Sequence, residues 1–103
     1  MLFTDAHIDQ LKVARANGTM REHFRAEVTR MLGVTLADEQ TPMLDALADA
    51  ICNTACAIYA WQMGPSAATA IAIANAAEAE RIIWTALANR THVALERLVP
   101  SKP

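Results

Sequence analysis

An all-α fold is predicted for this 103-residue chain: a four-helix bundle-like arrangement of two short N-terminal helices and a long antiparallel helical hairpin. Three observations carry that expectation. Apolar residues recur at three- and four-residue spacing, and no segment alternates apolar with polar residues in the β-branched manner of a strand. Ala, the best helix former, makes up roughly a fifth of the sequence. Helix punctuation is regular: Thr4, Thr19, Thr41 and Ser66 open segments that Gly18, Gly33, Gly64-Pro65 and Pro100 close.

The elements follow in order. Thr4 is a good N-cap, Asp5 suits the positive end of the helix dipole, and Phe3 and Ile8 stand where a hydrophobic staple would pack. Helix one therefore runs to about Asn17, with Gly18 as its left-handed stop. Thr19-Met20-Arg21-Glu22 has the capping-box pattern, so helix two is expected over about 20–32, ending at Gly33. Residues 34–41 form a connection. Thr41-Pro42 opens helix three, since proline is tolerated at the first helical position, and the helix ends at Met63. Ser66 caps helix four, which meets no breaker until Pro100. The domain reading is one unit over 1–103: two short helices in 1–33, the connection, the hairpin over 42–99, and a tail at 100–103.

The hairpin has an unusual charge pattern. From Ala50 to Ala77 there is no charged residue, and from Val34 to Glu80 there is no Lys or Arg. Helix three starts amphipathic, with a stripe through Leu44, Leu47, Ile51, Ala55 and Ile58 and with Asp45 and Asp49 off it. Helix four is apolar nearly all round from Ala67 to Ala77. Amphipathicity returns after Glu78, with a stripe through Trp84, Leu87, Thr91, Ala94 and Leu98. A helix apolar on every side is normally covered on every side. An unbroken helix over 67–99 would be roughly 50 Å long, whereas a compact domain this size has a radius of gyration of about 13 Å. Either that helix bends near Asn89-Arg90-Thr91 or it projects into a second subunit, and projection is the expectation. Ile58, Trp61, Ile71, Ile73 and Trp84 are the expected protein-interface residues. Asn53, Thr54 and Asn75 interrupt the uncharged run, either as backbone-bonded core groups or as a register device in an oligomer.

Composition excludes several classes. The net charge of −2 does not suit a strongly basic nucleic-acid binder. His23/Glu27 and His92/Glu96 are spaced for two weak surface pairs, and the Glu-x-x-His repeat of di-iron bundles is absent. Glu80 falls near an apolar stripe while Arg81 points about 100° away from it, but one carboxylate without a nucleophile, metal or phosphate site is not an active site. Cys52 and Cys56 lie four apart on one helix, poor geometry for a disulfide and without nearby His to complete a metal site, so both read as reduced core-fillers. No catalytic residue, no metal and no cofactor is expected. Met1 to Asp5 lacks the basic region of a signal peptide, and a cytoplasmic setting is expected. Polar residues dilute the apolar run, so a membrane hairpin is the least favoured reading.

One local pattern points elsewhere. Gln10, Val13, Ala14, Gly18 and Phe24 resemble the helix-turn-helix pattern of DNA-binding repressors: a small residue four before the turn glycine and an apolar one six after it. The resemblance covers about residues 10–29, with Glu27, Asn17 and Thr19 departing from the apolar neighbours of that pattern. It implies that helix two enters the major groove and that Arg21, His23 and Arg25 reach DNA. Residues 1–33 carry five Lys and Arg against four acids, a thin basic surface for phosphate. The leading expectation is a non-catalytic association module, most simply a homodimer or a binder of another protein. A helix-turn-helix regulator is the alternative.

Overall fold

The computed structural model describes residues 3–33 and 41–98, with side-chain surroundings for 3–31, 33 and 41–89. The fold is all-α, as the sequence predicts. The order is α1 (Asp5–Ala16), α2 (Thr19–Leu32), α3 (Thr41–Met63) and α4 (Ala67–Leu98), with no strand among the described residues. The connection after Gly33 and the tail at 100–103 lie outside the described residues. So do the side chains of Thr91, Ala94 and Leu98 on the expected stripe, and those of His92 and Glu96.

Local chemistry sets the helix ends. Thr4 Oγ1 accepts from the His7 amide at 3.2 Å, and the Thr4 amide donates back to His7 Nδ1 at 3.4 Å. This is a capping box in which an imidazole takes the place usually held by a carboxylate. The corner between α1 and α2 differs from the expectation that Thr19 caps α2. Gly18 is itself the N-cap, in the left-handed region at φ +82°, and Thr19 is already helical. Asn17 Oδ1 accepts from the Thr19 amide at 2.9 Å and supplies the cap from one residue earlier. Glu22 does not reach back to complete a box, because Arg21 and Arg25 hold its carboxylate. The backbone angle is what favours glycine there; an added Cβ would come within 2.7 Å of Arg21 Nη2 and would have only that guanidinium to displace. Gly33 closes α2 with φ +72° and an amide bond to Thr29 O at 2.8 Å.

α3 is the central element, touching α1, α2 and α4. α1 runs antiparallel along it. The Phe3 amide donates to Gln62 Oε1 at 2.9 Å, Gln62 Nε2 donates to Phe3 O at 2.9 Å, and Arg15 reaches Asp49 at 3.5 Å at the other end. α2 covers the start of α3, with Arg21 on Asp45 and Arg25 on the Thr41 hydroxyl at 2.7 Å. The buried cluster lies at this end: Val28 from α2, Leu44 and Leu47 from α3, and Leu87 from α4 are each fully covered. Phe24 and Trp84 pack against it edge to face, their ring centroids 6.4 Å apart. Each such apolar side chain contributes about 1.5–3 kcal/mol on burial, so this cluster fixes how the three helices meet.

α4 is one continuous helix of 32 residues, about 48 Å long at 1.5 Å per residue. It does not bend back at Asn89-Arg90-Thr91. Its inward stripe runs through Thr69, Ile73, Ala76, Glu80, Ile83 and Leu87 at heptad-like spacing against α3. The molecule measures 59 × 29 × 20 Å with a radius of gyration of 16.4 Å, against about 13 Å for a compact domain of this length.

Candidate association surface

The far end of the hairpin combines two properties that soluble domains usually separate: it has no charge from Cys56 to Ala77 and little burial from Cys56 to Ala86. Between Cys56 and Ala86 no residue is buried, although the buried core resumes on either side, at Ala55 and Leu87. Within that stretch Met63 is 66% exposed, Ile71 59%, Ile82 56% and Trp61 40%. Four large apolar side chains are thus open to solvent along this part of the hairpin.

The turn that ends the hairpin is held by its own polar groups. Ser66 Oγ accepts from the Thr69 amide at 3.1 Å, the Ser66 amide donates to Thr69 Oγ1 at 2.9 Å, and Thr69 Oγ1 lies 3.2 Å from Gly64 O. Ser66 is thus the cap the sequence indicates, with Thr69 as its reciprocal partner. The turn therefore keeps its shape without the apolar cover that core helices have.

The five expected interface residues fall into three settings. Trp61 and Ile71 are exposed at the hairpin end. Ile58 and Ile73 are half-buried, Ile73 on the inward stripe of α4. Trp84 turns toward the molecule's own core, against Phe24 and the Val28–Leu44–Leu47–Leu87 cluster. Two residues that sequence reasoning did not select, Met63 and Ile82, are among the most exposed large apolar groups. Ile82 was legible in principle, since it falls eleven residues after Ile71 and so on the same helix face. Asn53 and Asn75 are exposed, and Thr54 donates to Ala50 O at 3.0 Å.

The residues singled out by the helix-turn-helix resemblance are engaged within the chain. Arg21 donates to Glu22 at 2.9 Å and to Asp45 at 3.4 Å; Arg25 donates to Glu22 at 3.2 Å and to Thr41. His23 stands edge-on to Phe24 at 5.1 Å. The hydrogen bond from Arg21 is the main reason the Glu22 carboxyl titrates below its usual range. Glu27, offered with His23 as a pair, is taken instead by Arg30 at 2.6 Å, which lowers its pKa in the same way.

The remaining chemistry is sparse. No group of three or more His, Cys, Asp or Glu side chains is placed to hold a metal among the described residues. Cys52 is buried and Cys56 half-buried, both as free thiols. Burial, then the neighbouring Cys56, pushes the Cys52 thiol pKa up, which makes it a poor nucleophile. Arg81 clasps Glu78 through two bonds, 2.9 and 2.5 Å, and leaves Glu80 without an ion-pair partner among the described residues. α3 is long and apolar enough to cross a membrane, by length and composition. No protein-family model matches the chain, and no curated protein or solved structure matches it significantly.

Proposed function

We propose that the chain is a non-catalytic protein–protein association module that works through the uncharged end of its α3–α4 hairpin, with self-assembly as its first expression. One observation carries the reading: from Cys56 to Ala77 the two helices and their turn carry no charge and no buried residue, and they present Trp61, Met63 and Ile71 to solvent, with Ile82 exposed just beyond. Covering such side chains is the largest favourable term available to a helical surface without charge. The Arg21 and Arg25 donors are already engaged inside the chain, so association is put ahead of DNA binding.

The test is light scattering on a size-exclusion column over a range of concentrations, with unmodified protein and the Ile71→Asp chain. A dimer or larger species that Ile71→Asp converts to monomer, with unchanged helical circular dichroism, supports the reading. A monomer at every concentration, or an assembly indifferent to changes at Trp61, Met63 and Ile71 alike, refutes it. Retardation of duplex DNA at low salt that Arg21→Ala abolishes would favour the helix-turn-helix alternative instead.

A further inference from the structure

We infer that Cys52 and Cys56 form a two-thiolate site for a soft monovalent cation, Cu(I), set in the contact between α1 and α3. This goes beyond the association reading and stands apart from it. The two thiols lie one helical turn apart on the same face of α3. Cys52 is 1% exposed; the Cys56 thiol hydrogen-bonds to it, and the cationic groups of Arg15 and Lys12 on α1 stand close enough to act on it. Cys56 is half-buried and lines a groove between the two helices, with Ile8 and Lys12 on the α1 side and Tyr59 and Met63 on the α3 side. An ion that arrives from solvent at Cys56 therefore meets the buried thiol without a separate path to it.

Distance decides what can join the two sulfurs. Side chains four apart on a helix have Cβ atoms about 5–6 Å from each other. A disulfide needs about 3.8 Å, so the helix would have to unwind to form one. A bridging ion adds a second bond: two metal–sulfur bonds of about 2.3 Å place the sulfurs up to about 4.6 Å apart. Both side chains span that gap with the helix intact.

Ligand number and charge narrow the choice of ion. No group of three or more His, Cys, Asp or Glu side chains could hold a metal among the described residues, so two sulfurs are the whole donor set of that kind. Zinc completes four ligands and is poorly served here. Thiolates favour soft ions, and Cu(I) is the soft ion that two thiolates in line satisfy. Asp5 and Asp9 line the same groove, but carboxylate oxygens suit harder ions. Binding Cu(I) releases both thiol protons and leaves a bis-thiolate complex with one net negative charge. Lys12, which makes no ion pair among the described residues, and Arg15, which reaches Asp49 at 3.5 Å, supply the positive charge beside it.

The experiment titrates the reduced full chain with Cu(I) under argon against a chromophoric Cu(I) chelator, beside Cys52→Ala and Cys56→Ala, with helical circular dichroism as the check on folding. The expected result is one Cu(I) withheld per chain, and a loss of more than about 100-fold in affinity in each variant, beyond what outer-shell changes cost. X-ray absorption on the loaded unmodified chain should show two sulfur neighbours and no nitrogen or oxygen, a readout that does not depend on either variant folding. Copper held equally well by both variants, or bound through nitrogen or oxygen, overturns the site. So does a loading of one ion per two chains with a doubled mass by light scattering, since the thiols would then bridge molecules. Zinc withheld as tightly as Cu(I) overturns the two-coordinate assignment.

Discussion

Leu87→Ala is the most direct probe of how the long helix is held. Among the described side chains of α4, Leu87 is the one that is fully buried, enclosed by Val28 from α2 and by Leu44 and Leu47 from α3. Three helices meet there, so the walls cannot close over the space an alanine would leave. The cost combines lost transfer energy with a residual cavity and comes to about 3 kcal/mol. A chain this long has about 5–15 kcal/mol of total stability, so the change removes a fifth or more of it. Urea unfolding followed by circular dichroism reads this as a midpoint lowered by about 2 M, taking a slope near 1.5 kcal/mol per M. Ile82→Ala is the paired control, since its side chain is more than half exposed and its loss leaves no cavity. At the lowest protein concentrations that control should cost under about 0.5 kcal/mol. A Leu87→Ala loss below about 1 kcal/mol would refute the placement of this residue at the junction of three helices.

Four further outcomes are expected. Gly18→Ala forces an alanine into the left-handed region and displaces the Arg21 guanidinium, at about 1–2 kcal/mol, measurable as a lowered melting temperature. Gln62→Ala removes both bonds to the Phe3 backbone and should cost about 1 kcal/mol while raising amide exchange at the start of α1. A thiol reagent at pH 8 should modify Cys56 quickly and Cys52 only at the rate of unfolding; two equally fast thiols would contradict the burial of Cys52. Glu22, Glu27 and Glu78 are all held below the ordinary carboxylate value of 4.5 by arginine. Their stabilising effect is complete above that value and is lost as pH falls through the lowered pKa values, so Glu78→Gln should flatten the acid limb of stability against pH.

Much of the helix layout was legible because each boundary has a local chemical cause. Thr4, Gly33, Gly64-Pro65 and Ser66 act on neighbours within a few residues, and short-range rules read them correctly. The corner at Gly18 was misread in one detail, because Asn17 and Thr19 are both competent caps and only the backbone angle decides between them. Long-range features left less trace. Nothing in the sequence pairs Gln62 with Phe3, since the bond spans 59 positions and uses backbone groups that every residue carries. The candidate surface was legible as a charge gap, but its composition was not. Trp84 reads as an interface residue by size, and its edge-to-face contact with Phe24 beside the core, from a half-buried position, is not visible in the sequence.

The confinement of the core to one end has a consequence for how the molecule opens. Protection against hydrogen exchange should decline along the hairpin, from amides near Leu47 and Leu87, which open only with the whole chain, to those around Ile58 and Ile73, which open by local separation of α3 from α4. The polar lock between Ser66 and Thr69 preserves the turn while the helices beside it part, so the hairpin breathes from its middle rather than fraying from its tip. Any protein that covers this region gains contacts and also removes these openings. Folding of the last half of the hairpin and assembly then become a single thermodynamic event, and the apparent stability of that half rises with protein concentration while the core end stays unchanged.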